Sequence, residues 1–317
     1  MTVKLKAFVP LFLLLASTVF AQPVKVNAFI YLVDLREIDG AKQTFSADVF
    51  VRLKWRDPQL QGDKPRVVPV NSVWNPNVQV INRISVQTTL PEVVEVDSSG
   101  NVTYRQRFIG QFSSNLDLHR FPFDRQTLSV DFVALGQTED KLQFVQDPQI
   151  GGTGKNLAIT DWKIGPWKTK SEGYQPVPGT PPMSGFSFEI IAERRFYYFL
   201  VQIILPMALI LGMSWIVFWI DPTQTGPRIS TCITAMLTLV AYRFLTGSFL
   251  PRLPYLTRLD AFVFGCTLMV FCSLMVVIWI SRLLQSKQDS RAVSVNNRSR
   301  WFFPMLFLLL LAGSFLS

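Results

Sequence analysis

From Phe199 onward the chain carries four apolar runs in close succession: Phe199 to Ile220, Arg228 to Phe249, Ala261 to Ile280 and the shorter Trp301 to Leu316. A hydrocarbon core of about 30 Å is crossed by roughly 20 residues of helix, and a spanning segment must satisfy its own backbone hydrogen bonds. Four membrane-spanning helices packed as a bundle are therefore expected. Pro206, inside the first run, frees a helical carbonyl that a neighbouring helix can satisfy.

The second run differs from the others. Ser230, Thr234, Leu237, Ala241, Phe244 and Ser248 recur at alternating steps of four and three residues, which stacks them on one helix face. Two readings fit that stripe. It can wall a pore, with hydroxyls hydrating a passing ion and Leu237 and Phe244 forming apolar rings that empty of water and close. It can also be a buried face whose Ser and Thr hydroxyls bond back to their own carbonyls. Arg243 lies off the stripe by about 100° per residue, and reaching the outer interface suits it better than lining a pore, with Asp260 as a candidate partner.

The Phe8 to Phe20 run belongs to another class. Lys4 and Lys6 precede it, and Val19 and Ala21 supply small residues before Gln22, the pattern of a cleavable secretory signal over residues 1–21. Residues 22–195 are then an exported domain. Within it Val26 to Leu32, Phe45 to Trp55, Ser85 to Leu90, Val102 to Phe112, Thr127 to Val133 and Phe186 to Ile191 alternate apolar and polar residues. Turn signals at Asp39-Gly40, Gln61-Gly62, Ser99-Gly100, Gly151-Gly152 and Pro176 to Pro182 separate them. The predicted fold class is an all-β, Ig-like sandwich followed by a four-helix transmembrane bundle over 196–317.

Cys232, Cys266 and Cys272 all fall in predicted spans, so the exported domain has no disulfide and rests on packing. The net charge of +9 does not call for nucleic acid, because the surplus sits in the membrane half. Arg282, Lys287, Arg291, Arg298 and Arg300 mark a short cytoplasmic linker over 283–299, as the positive-inside rule expects. His119 is the single histidine, with no neighbouring Cys or His for a metal and no nucleophile beside it, and its titration can bias the protein's behaviour with pH. Gly151 to Lys155 lacks the spacing of a phosphate loop and reads as a turn. No cofactor, metal site or catalytic residue is implied.

Several local motifs converge on one family. Phe121-Pro122-Phe123-Asp124-Arg125-Gln126, Trp55-Arg56-Asp57-Pro58, Trp74-Asn75-Pro76-Asn77 and Ser214 to Ile220, set in an exported sandwich with four spans, resemble the pentameric ligand-gated ion channels, the Cys-loop receptor superfamily. Ser114 and Leu128 stand where animal receptors carry their signature-loop cysteines, as in bacterial members. The resemblance implies a homopentamer in the bacterial inner membrane, its β domain in the periplasm. A small-molecule agonist or protons would open a pore for permeant monovalent ions, with membrane lipid around it.

Site residues follow from the same resemblance. Phe50 and Arg52 match the complementary wall of the agonist site, where an Arg grips a carboxylate, and Tyr174 falls in a capping loop from Glu172 to Ser184. Ile81, Val133 and Leu135 occupy principal-wall positions that amine-binding members fill with aromatic or acidic residues, which disfavours a cation cage and favours a carboxylate, protons or another molecule. Pro227 stands where cation-selective relatives place Glu, and with Arg228 it forms a mouth that leans toward anions, cation selectivity being the alternative and Asp221 a wider acidic ring. Coupling between the two domains is expected from Arg195 with Asp124 and Asp39, from Phe121 and Pro122, and from Pro251 and Pro254 in the outer loop. A reading from another class is an exported binding protein that four helices merely tether. A tether needs neither a polar stripe nor the Phe121 to Asp124 loop.

Overall fold

The computed structural model describes residues 22–62, 64–149, 151–155, 157–247 and 253–315. The expected signal at 1–21, and Ser248 and Pro251, lie outside the described residues.

The exported region is a two-sheet sandwich. One sheet holds β1 (Val24–Asp39), β2 (Thr44–Arg56), β3 (Arg66–Pro69), β5 (Arg83–Thr88), β6 (Val93–Val96), β7 (Asn101–Ser113), β9 (Leu142–Gln146) and β10 (Gly152–Thr153). The other holds β4 (Val78–Val80), β8 (Arg125–Thr138), β11 (Trp162–Tyr174) and β12 (Met183–Arg194) in the order β11-β12-β8-β4. Five of the six predicted runs lie wholly in strands, and the sixth, Ser85 to Leu90, runs two residues past the end of β5 at Thr88. Their inward residues, among them Ile30, Val49, Val51, Leu53, Val130, Phe188 and Ile190, form one buried core between the sheets, as period-two alternation requires.

Two local expectations change. Gly152 and Thr153 pair in parallel with Tyr31 and Leu32 rather than forming a turn, because a Cβ at Gly151 would stand 2.2 Å from the Ile30 carbonyl, so only glycine lets the chain approach so closely. Tyr174 is the last residue of β11 and Ser184 lies in β12, so the hairpin loop is shorter than predicted.

The rest is helical: α1 (Tyr197–Ile216), α2 (Thr225–Gly247), α3 (Arg258–Gln285) and α4 (Asp289–Phe315). The first three are long and apolar enough to cross a membrane. α4 falls short of that measure because its first turns are polar, and the predicted fourth span is its apolar half from Trp301. Within the segment expected as the linker, 283–299, α3 runs to Gln285 and α4 starts at Asp289, so Arg291 and Arg298 ride on a helix.

Pro206 behaves as expected of a membrane helix. α1 widens into a π turn over Leu200–Ile204, and the Tyr242 hydroxyl of α2 donates to the Gln202 carbonyl, four residues before the proline. The two domains meet where the β7–β8 loop lands on α3. The backbone N–H groups of Arg258 and Leu259 donate to the carbonyls of His119 and Phe121 at 3.0 and 3.3 Å, satisfying part of the α3 N-terminus.

Candidate functional site

α2 presents two unlike faces. Arg228, Cys232, Ala235 and Leu239 are buried within the subunit, whereas Ser230, Thr234, Leu237, Ala241 and Phe244 stay open, Leu237 65% and Phe244 80% exposed. Thr234 does bond back to the Ser230 carbonyl at 3.0 Å, and Thr238 to Thr234 at 2.8 Å. The hydroxyl geometry of the buried-face reading is therefore present, but the face itself is not buried within the subunit. An apolar and hydroxyl stripe on a membrane helix needs either neighbours or a water-filled lumen.

Arg228, expected at the mouth, is buried within its own subunit. It is 1% exposed, its Nε donates to the Val217 carbonyl at 3.0 Å, and its Nη2 donates to Asn296 Oδ1 at 2.6 Å. Asn296 Nδ2 and Arg300 Nε both donate to the Phe218 carbonyl, at 2.9 and 2.8 Å. These groups cap carbonyls left open where α1 ends, at the negative end of its dipole. At 100° per residue the two steps from Ser230 carry Arg228 to the far side of the helix. Pro227 stays exposed in the first turn of α2, where its missing N–H costs nothing.

The β domain holds a second candidate. Ile81, Val133 and Tyr174 line one cavity of about 290 Å³ together with Asp131, Glu172, Phe186 and Glu189. Leu135, two residues beyond Val133 along β8, does not join them; its N–H bonds the Asn77 carbonyl at 3.1 Å. Glu172 pairs with Lys170, and Glu189 with Lys168 at 2.9 Å. Asp131 accepts from the Ser129 hydroxyl and has no cationic partner among the described residues. Burial pushes its carboxyl above the usual carboxylate range, Ser129 pulls it down, and repulsion from Glu189 and Glu172 pushes it up again. Sequence reasoning missed this acid, although it stands two residues from Val133 on the same strand face.

Phe50 and Arg52 share a face of β2, on the other sheet. Arg52 does not stand free to grip a carboxylate as expected. Its Nη2 pairs with the buried Asp147 at 3.1 Å and its guanidinium lies 4.6 Å from the Phe29 ring centroid, while Nε is buried without a partner. Phe50 meets the edge of the same Phe29 ring at 6.3 Å.

At the junction, Asp124 is held by Arg194 rather than Arg195. Arg194 Nε and Nη2 reach Asp124 Oδ1 and Oδ2 at 2.7 and 3.2 Å. The guanidinium also lies 4.1 Å from the Trp162 centroid and 4.9 Å from Phe121. Arg195 is exposed, since successive strand residues point to opposite faces. Asp39 is taken up by its own turn, pairing with Lys42 at 2.9 Å and accepting from the Ala41 N–H. Phe121 and Pro122 are buried, with Phe121 edge-on to Phe199 of α1 at 4.8 Å. Pro254 lines an interdomain cavity with Tyr255 and His119. Asp260 closes the capping box of α3 with Thr257.

The comparisons with known proteins cover both domains. The profile of the neurotransmitter-gated ion-channel ligand binding domain matches residues 17–171, and that of the neurotransmitter-gated ion-channel transmembrane region matches residues 203–311. A proton-gated ion channel from Gloeobacter violaceus is 26% identical over 294 residues, covering 91% of this chain and 81% of the relative.

Proposed function

Because the chain belongs to the neurotransmitter-gated ion-channel family, the pentameric ligand-gated channels, we propose that five copies form a bacterial inner-membrane channel whose periplasmic β domain opens a pore lined by α2. The observation that carries this reading is the division of α2: one face is sealed by its own subunit, and the other keeps Leu237 and Phe244 open. Around a central axis Ser230, Thr234, Leu237, Ala241, Phe244 and Ser248 would wall a lumen, with Leu237 and Phe244 as dewetting constrictions.

Agonist enters between subunits, against the Ile81, Val133 and Tyr174 cavity of one and the Phe50 and Arg52 face of the next. Asp131 has no cationic partner among the described residues, while Glu172 and Glu189 are paired with lysines. Of the ligands the sequence left open, protons therefore suit that cavity better than a carboxylate, and a cationic ligand suits it too. The proton-gated relative supports protons as one candidate. Opening is a population shift driven by tighter binding to the open arrangement. The test is current from reconstituted protein under pH steps and under small amines or carboxylates. Current evoked by acid or amine and weakened by Asp131→Asn is expected, and current evoked by carboxylates alone, indifferent to Asp131→Asn, would contradict the ligand assignment.

A further inference from the structure

The face of β2 that carries Phe50 and Arg52 gathers arginines. Paired residues of neighbouring strands share a face, and Phe50 stands opposite Arg107, Arg52 opposite Arg105. Three guanidiniums therefore belong to the face around Phe50, and each meets an acid of its own subunit. Arg107 Nε and Nη2 reach Asp48 Oδ1 and Oδ2 at 2.8 and 2.5 Å, and Arg105 reaches Glu95 at 2.5 Å. Arg52 goes to Asp147 at 3.1 Å.

The Arg52 contact is unlike that of Arg107. Phe29 of β1 is the direct cross-strand partner of Arg52, and Asp147 follows β9 on the far side of β1. The guanidinium thus crosses β1 over the Phe29 ring to reach the acid. Asp147 is fixed from behind: its N–H donates to the Ala28 carbonyl at 3.0 Å, and its Oδ1 accepts from the Gln149 N–H at 2.8 Å. Oδ2 accepts the one bond from Arg52 Nη2, and the buried Nε has no partner among the described residues. A guanidinium fork suits two parallel bonds to one carboxylate. Arg107 makes both, whereas Arg52 is held at a single point, in a pair whose side chains are only 15% and 3% exposed.

Resting on the agonist-face reading above, we propose that Asp147 is a tethered carboxylate that fills the place of a ligand carboxylate at Arg52, and that it sets the ligand class of this face by excluding free carboxylates. An acid carried on the same chain competes at an effective concentration of at least about millimolar, and it is already ordered, whereas a free carboxylate must give up its own freedom to bind. A soluble carboxylate has to displace Asp147 to reach the arginine; protons and cationic ligands meet no such competitor. Removing the Asp147 carboxylate while keeping Arg52 reverses the preference. A guanidinium beside an aromatic ring and a space the size of a small carboxylate then becomes a site for formate or acetate.

The experiment compares full-length wild type, Asp147→Ala and the double variant Arg52→Gln/Asp147→Ala in detergent, with sodium formate or acetate exchanged for sodium chloride at equal ionic strength. The melting temperature of Asp147→Ala should rise saturably with the carboxylate, while wild type and the double variant do not move. In liposomes the same carboxylates should evoke or enlarge current in Asp147→Ala and leave wild type unchanged. Asp147→Asn, which keeps an acceptor for the Gln149 N–H, replaces Asp147→Ala if that variant does not fold. A melt that ignores carboxylates, a response that survives the loss of Arg52, or a wild type that responds equally would overturn the proposal. So would a conducting Asp147→Ala whose current ignores the carboxylates that shift its melt. The expected melts in a protein that is silent under every condition, Leu237→Ser included, would instead remove the channel reading and leave Asp147 as the residue that keeps carboxylates off Arg52.

Discussion

Arg194 and Asp124 form a two-point ion pair, with Nε to Oδ1 at 2.7 Å and Nη2 to Oδ2 at 3.2 Å, at the point where the last β-strand hands over to the first helix. Asp124 also accepts from Gln126 Nε2 at 2.8 Å, so its carboxylate is satisfied from two sides. The pair ties the β7–β8 loop to the chain entering the membrane, and a shift in either must exchange these contacts rather than stretch them.

Removing one partner should therefore be costly. Arg194→Gln or Asp124→Asn is expected to lose about 3–5 kcal/mol, the range for breaking a buried pair, whereas Arg195→Gln stays near wild type. Thermal unfolding of the detergent-solubilised protein measures the difference. A double-mutant cycle should return a clear coupling between 194 and 124, and equal effects of Arg194→Gln and Arg195→Gln would contradict the assignment.

Asn296 should matter to stability more than its place on an outer helix suggests. Its Oδ1 accepts from the buried Arg228 guanidinium and its Nδ2 donates to the Phe218 carbonyl. Asn296→Leu leaves a charged donor unpaired, and about 1.5–3 kcal/mol should be lost, the worth of a hydrogen bond to a charged group. Asn296→Asp, which retains the acceptor, should recover most of it in the same melt.

Asp131 predicts a pH dependence of the β domain. Its carboxyl is raised above its unfolded value of 3.8, chiefly by burial, so the folded state binds the proton more tightly than the unfolded one. Stability then falls as pH rises through the raised value and is recovered on acidification. Asp131→Asn should flatten that slope and raise the melting temperature at neutral pH. Melts at graded pH read it directly; a slope that survives the substitution would place its origin in other groups.

Gly110 is the tightest backbone contact of the larger sheet. Its φ is +155°, and a Cβ there would stand 1.9 Å from the Ser85 carbonyl of β5. Gly110→Ala should cost at least about 1–3 kcal/mol in backbone strain and push β5 off β7. Gly179, also at positive φ but with nothing near its Cβ, is the matched control and should lose less.

Much of this architecture was legible in the sequence, and the failures have physical causes. Strands with two buried sides of alternation, such as β2 and β8, announced themselves. β11 did not, because Lys163, Lys168 and Lys170 along it charge an edge strand, a common protection of an open edge. The two-residue β10 and three-residue β4 are set by their partners rather than by their own pattern. The stripe that stays open on α2 is legible from its spacing, and the same step of about 100° per residue turns Arg228 to the opposite side. Arg194 was missed for Arg195 because a motif locates a residue in the chain, while strand parity decides which face it takes. Asp131 belongs to no motif, and only its parity with Val133 along β8 marks it as facing the same cavity.

The most direct test of the account is the resting current of Leu237→Ser in liposomes beside wild type, with pentamer formation checked on the same preparations. A polar ring at the apolar constriction should stay wet, so the variant is predicted to conduct without agonist while wild type needs an acid step or a cationic ligand. A folded, pentameric Leu237→Ser that passes no current under any condition would contradict the claim that the open face of α2 lines a gated pore.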